Sequence, residues 1–181
     1  MVQVAKALAN TGAMLSPRAL AKLKAQVQSM LRCLKFSNDA WDVGVMLTTE
    51  SHVQTLNRKF RERNTPTDIL SFPFHKMRRP GHFPRVKTKE ERYLGDIFIS
   101  PAYVQRQCDD PLLYEITTLE ERLPVLVAHG LCHLMGYDHE RDDDYERMKR
   151  AEDYILNRYI EFLPPSFSSA SLILDEKSDS N

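Results

Sequence analysis

His129, His133 and His139 are the residues whose spacing points most directly to chemistry. On a helix, residues four apart lie one turn above each other, so the imidazoles of His129 and His133 converge on one point. Gly136 stands between the second and third histidines. A glycine there can end the helix in a left-handed conformation and turn the chain back, delivering His139 to the same point. Three neutral imidazoles hold one divalent ion, assigned here as Zn2+, and leave a fourth position for water or substrate, whereas structural zinc is usually closed by four ligands. The pattern therefore reads as a catalytic metal centre. A histidine pair alone on an apolar helix would suit two packed core residues equally well, and the third histidine, placed after a glycine stop, favours the metal.

The three histidines and Gly136 match the spacing of the long metzincin zinc motif. Those proteases carry a glutamate directly after the first histidine as general base for the attacking water. This chain has Gly130 there, so peptide hydrolysis by that route lacks its base. Asp142, Asp143 and Asp144 follow closely, but an acidic run opening a helix suits the helix dipole and is a weak candidate for metal binding.

The elements that must position these residues are legible in order. Val2 to Leu8 is expected to form a short edge strand. Ser16 as N-cap and Pro17 at the first helical position open an amphipathic helix carrying Leu20, Leu23, Val27, Met30, Leu31 and Leu34. Val43, Val45 and Leu47 alternate as a strand. A helix with Val53, Leu56 and Phe60 follows and is expected to break at Pro66. A second strand over Ile69, Leu70 and Phe72 stops at Pro73. Leu94 to Ser100 is a third, buried strand with Asp96 inside it; a carboxylate there wants a partner, and the ring N–H of a ligand histidine is one candidate, an edge position the other. Ser100 and Pro101 start another helix. Thr118 and Glu121 suggest a capping box for the site helix, which Pro124 should kink or postpone by a turn. Met148, Ala151, Ile155 and Leu156 line a terminal helix.

A chain of 181 residues, 42% hydrophobic, buries one sizeable core. We expect one domain over residues 1–163 and a Pro- and Ser-rich tail over 164–181 that reads as disordered. No apolar run reaches the length needed to cross a membrane, so a soluble protein with no membrane partner is expected. Cys33, Cys108 and Cys132 are odd in number and lack metal-pair spacing, which points to a reducing compartment and no disulfide-linked partner. Cys132 is expected to pack as a small hydrophobe.

Formal net charge is zero, yet residues 1–92 carry 17 Lys/Arg against 7 Asp/Glu, and residues 93–181 carry 8 against 18. Such asymmetry allows a basic face for a polyanion, unless folding interleaves the halves. Two stretches supply it. Arg58, Lys59, Arg61 and Arg63 load the end of one helix, where Arg58, Lys59 and Arg63 suit phosphate contact and a solvated face equally. The loop 75–92 holds Lys76, Arg78, Arg79 and Arg85 among its bases; a loop this long is usually functional or disordered, and its charges can contact phosphates without reading sequence. His75 and His82 read as surface residues. No acid precedes Asp39, a transit-peptide composition, although the periodic helix argues that most of that segment belongs to the fold.

Four segments together resemble the YbeY family of metal-dependent endoribonucleases: Leu56-Asn57 with Arg61; Pro66 to Pro73; Leu94-Gly95-Asp96-Ile97; and His129 to His139. They span about residues 40–160. The long loop and the His-Gly-Leu-Cys-His core look more like the eukaryotic branch. The resemblance implies an α+β, zincin-like fold with a small mixed sheet of about four strands, and a metal at the mouth of a positively charged cleft. It implies single-stranded RNA as substrate, rRNA in particular, with small ribosomal subunit proteins as candidate partners, and a mitochondrial address, otherwise a cytoplasmic one. Arg61 matches the family's functional arginine; a guanidinium suits phosphate charge that grows in the transition state. The alternatives are a ribosome assembly factor with a structural metal that binds rRNA without cleaving it, and another zinc hydrolase.

Overall fold

The computed structural model describes residues 3–6, 15–34, 41–110 and 118–167. Strands β1 (Gln3–Lys6), β2 (Asp42–Leu47), β3 (Ile69–Pro73) and β4 (Tyr93–Ile99) form one sheet in the order β1-β2-β4-β3. The first two pairings are parallel and β3 runs antiparallel to β4, so the sheet is mixed, as expected, with β1 at one edge. The helices are α1 (Pro17–Cys33), α2 (Glu50–Arg61), α3 (Pro101–Cys108), α4 (Leu119–Leu134) and α5 (Asp142–Arg158).

Register decides which face is core. Val45 and Ser71 both lie opposite Ile97, and Leu47 and Ile69 lie opposite Ile99, so these residues share one face. Leu23, Val27 and Met30 of α1 and Leu123, Val127, Leu131 and Leu134 of α4 join that face in one buried cluster, to which α5 adds Met148 and Ile155. Each buried aliphatic side chain of this size contributes about 1.5–3 kcal/mol, and together they fix α4 against the sheet. The opposite face carries Phe72 and Phe98, with ring centroids 5.6 Å apart, under His52 and Phe60 of α2.

Several expectations need correction. Helix α2 ends at Arg61 because Glu62 is left-handed (φ 59°), with its N–H bonded to the Asn57 carbonyl, so Pro66 is not what breaks it. Phe60 is 56% exposed, and the side of α2 toward the sheet is buried at Val53 and Asn57 instead. Asn57 donates through Nδ2 to the Thr65 carbonyl at 2.8 Å, which ties down the following loop. Helix α4 starts at Leu119 regardless of Pro124, since Thr118 caps it by accepting from the Glu121 N–H. Residues 165–167 of the expected tail form a 3-10 turn, and 168–181 lie outside the described residues, as do residues 2, 7 and 8 of the expected first strand and Asp39. No described helix is long and apolar enough to cross a membrane.

A candidate metal centre and the surface around it

The end of α4 assembles the site. Gly136 adopts φ 83°, its N–H bonds to the His133 carbonyl at 2.9 Å, and the Tyr137 N–H bonds to the Cys132 carbonyl at 3.0 Å. These two bonds define a Schellman stop. The reversal carries His139 to ring-centroid distances of 5.4 Å from His129 and 5.1 Å from His133. One ring nitrogen from each of the three histidines lies within 4.8 Å of the others.

The protons of this cluster are placed by its neighbours. His129 donates from Nδ1 to the Glu152 carboxylate of α5 at 2.7 Å, and His133 donates from Nδ1 to the Tyr137 carbonyl at 3.1 Å. When both rings are neutral their Nε2 atoms then carry lone pairs, and these two atoms stand 3.1 Å apart. A shared proton or a shared cation can bridge nitrogens at that distance. Nitrogens on one tetrahedral zinc at about 2.0–2.1 Å from the ion stand roughly 3.3 Å apart, so the pair fits a shared cation. Burial pushes the His133 pKa down to about 4, and a proton on either neighbouring histidine would push it the same way, so this imidazole is neutral and able to ligate near pH 7. Cys132 is fully buried and its thiol is pushed upward by burial and then by Glu152, so it packs as a hydrophobe, as expected. All three cysteines are free.

Glu152 fills the role considered for Asp96. The Asp96 carboxylate accepts from the Tyr93 hydroxyl at 2.5 Å, on the sheet face away from α4, so no ligand histidine is its partner. Glu152 is absent from the sequence-based candidates although a signal exists: it occupies the position within the stripe Met148, Ala151, Ile155 and Leu156 where an apolar residue belongs. A carboxylate on that stripe requires a buried partner. Glu152→Gln is expected to weaken metal affinity by roughly 10–100-fold with the fold intact, because the ring loses its charged acceptor. Competition against a chromophoric chelator measures this; unchanged affinity would leave Glu152 without an orienting role.

Gly130 accounts for the missing glutamate. It is buried, and a Cβ there would lie 2.8 Å from Ile97 Cδ1 and 3.1 Å from Cγ1 and Cγ2, so the helix rests directly on β4. Gly130→Glu, which would restore the protease pattern, is therefore expected to lower stability by at least about 2 kcal/mol through overpacking, and to create no peptidase. Thermal unfolding and a casein assay check both halves. A variant as stable as the parent would show that the packing there is loose.

The basic residues fall into two groups. Arg58, Lys59, Arg61 and Arg63 are all exposed at the end of α2, with Lys59 Nζ 5.0 Å from the Phe60 ring centre. Helix α2 packs against β3, and β3 packs against α4. Arg78, Arg79 and Arg85 lie together with Lys76 and His82 around a cavity of about 690 Å³ in the loop 75–92. That loop is tied down by specific contacts. His75 donates from Nε2 to the Glu91 carbonyl at 2.6 Å, Trp41 packs on both His75 and Phe83, and the Gly81 N–H bonds to the Met135 carbonyl at 2.9 Å. The last bond docks the loop onto the turn that carries the histidines.

An α+β sheet with an open three-histidine site at the end of a core helix defines a zincin-like metal protein. The family model for Endoribonuclease YbeY matches residues 10–160. Endoribonuclease YbeY of Homo sapiens is 34% identical over 137 residues, 76% of this chain and 78% of the relative. That of Rhodopseudomonas palustris (strain ATCC BAA-98 / CGA009) is 37% identical over 138 residues, 72% of this chain and 67% of the relative. A solution structure from Thermotoga maritima shares the fold, with a TM-score of 0.50 at 24% identity over 93% of this chain and 97% of that one. The chain belongs to the YbeY endoribonuclease family.

Proposed function

We propose that this chain is a metal-dependent endoribonuclease that hydrolyses phosphodiester bonds in single-stranded RNA. Its setting in this proposal is rRNA maturation and ribosome assembly in mitochondria, alongside small ribosomal subunit proteins. Zinc is the ion we assign to the site. One observation carries the chemistry: one ring nitrogen from each of His129, His133 and His139 lies within 4.8 Å of the others. His129, His133 and His139 would hold the ion. When bound, it supplies Lewis acidity toward a phosphoryl oxygen and makes water a better nucleophile, so a glutamate next to His129 is not strictly required.

The chain's own residues do the rest. Glu152 keeps the His129 ring oriented and its proton on Nδ1, and the Tyr137 carbonyl does the same for His133. Arg61 is exposed and forms no ion pair among the described residues, which leaves its guanidinium available for a phosphate as charge builds on it. Arg58, Lys59 and Arg63 beside it, and Arg78, Arg79 and Arg85 on the loop, neutralise the flanking backbone in this reading.

The protease alternative is disfavoured by Gly130, which offers no base and has little room for one. Cleavage of labelled single-stranded RNA, duplex RNA and casein by the metal-loaded protein tests the proposal. Internal cleavage of the single strand alone is expected. RNA binding with no cleavage would favour the non-cleaving assembly factor.

A further inference from the structure

A second cationic cavity lies between the loop and α5. Arg79 of the loop, Tyr137 of the turn after α4, and Arg147 and Arg150 of α5 line about 610 Å³. One arginine of the loop and two of α5, far apart in sequence, thus line one concavity. Acidic residues are frequent along α5, but they pair little with these arginines. Asp144 approaches Arg147 at 3.9 Å but is held by Arg141 at 2.7 Å, and neither Arg79 nor Arg150 has a carboxylate partner among the described residues. Arg147 and Arg150 stand three apart, on one face of α5.

Tyr137 joins this cavity to the metal centre. Its carbonyl accepts the His133 Nδ1 proton at 3.1 Å while the residue also lines the cavity. Arg79 also lines the loop cavity of Lys76, Arg78, His82 and Arg85, so the two basic cavities adjoin at Arg79.

We propose that Arg79, Arg147 and Arg150 form a phosphate-binding subsite that grips the backbone of single-stranded RNA on one side of the scissile bond. The inference rests on the endoribonuclease reading and adds residues of α5 to it. Guanidinium groups match phosphate oxygens with paired N–H donors, and a concave pocket beside an aromatic ring suits a flexible single strand better than a rigid duplex.

The test uses the full, metal-loaded protein and a labelled single-stranded oligonucleotide. Arg147→Gln with Arg150→Gln is compared with a charge-matched control, Arg18→Gln with Lys24→Gln, on exposed positions of α1. Fluorescence anisotropy against salt should show affinity in the subsite variant weakened by roughly tenfold or more near physiological salt. The log–log slope should be shallower by about 0.7 for each phosphate no longer neutralised. The control should keep the parent slope. Equal affinity and slope in the two double variants would overturn the subsite while leaving the endoribonuclease reading standing. A parent that binds through these arginines yet cleaves nothing would retain the subsite and remove the nuclease. Duplex RNA, or a polyglutamate chain, binding as tightly as the single strand at equal charge would overturn the assigned ligand.

Discussion

His133→Ala is expected to lose bound metal and RNA cleavage together, with cleavage falling to the background of the chelated protein. His133 is the middle ligand: its Nε2 lies 3.1 Å from that of His129, and its ring centroid 5.1 Å from that of His139. Removing it leaves two imidazoles without a chelating turn between them. Melting temperature should fall in zinc buffer, because an ion that binds only the native state stabilises it by RT ln(1 + [L]/Kd), which is about 4 kcal/mol at a thousandfold excess over Kd. The stability comparison must also be made in chelator. There the two proteins should differ much less, because what remains is the local effect of removing a half-buried ring. Stoichiometric metal and an unchanged melting temperature in the variant would remove His133 from the ligand set.

Arg61→Ala should lower the single-turnover cleavage rate by roughly 10²-fold or more while RNA affinity changes much less, as for a group that meets charge appearing only in the transition state. Metal content should be unaffected, because Arg61 stands at the end of α2 and the ligands come from α4 and the turn beyond it. RNA must be in excess of its dissociation constant and metal occupancy measured in each sample, or weaker binding and missing metal would imitate impaired chemistry. An interaction made equally in ground and transition states would instead raise the dissociation constant and leave the saturated rate alone. Cleavage at the parental saturated rate would therefore reduce Arg61 to one more phosphate ligand.

Local rules account for most of the architecture. Ser16 and Pro17 announce α1, alternation announces β2, and i,i+4 spacing with a glycine stop announces the metal centre, because each depends on neighbours within one or two turns. What stays hidden in the sequence depends on packing between distant elements. Glu152 stands 23 residues from His129, and only the seating of α5 on α4 makes them partners. Asp96 meets a different neighbour from the one expected for a related reason. Strand residues three apart normally face opposite ways, but a bulge where β2 pairs with β4 sets Tyr93 and Asp96 against Asp42 and Gly44, and so onto one face. The loop 75–92 is only basic and long in sequence, whereas Trp41, Gly81 and Met135 give it a fixed seat. Arg147 and Arg150 resemble a solvated helix surface until the fold sets Arg79 beside them.

Reconstitution of the chelator-treated protein tests the central claim most directly, with single-stranded RNA cleavage followed against added equivalents of zinc. No cleavage is expected at zero equivalents, followed by a linear rise with a break at one ion per chain. Full cleavage by the metal-free protein, or none at saturation with one ion bound, would contradict that claim.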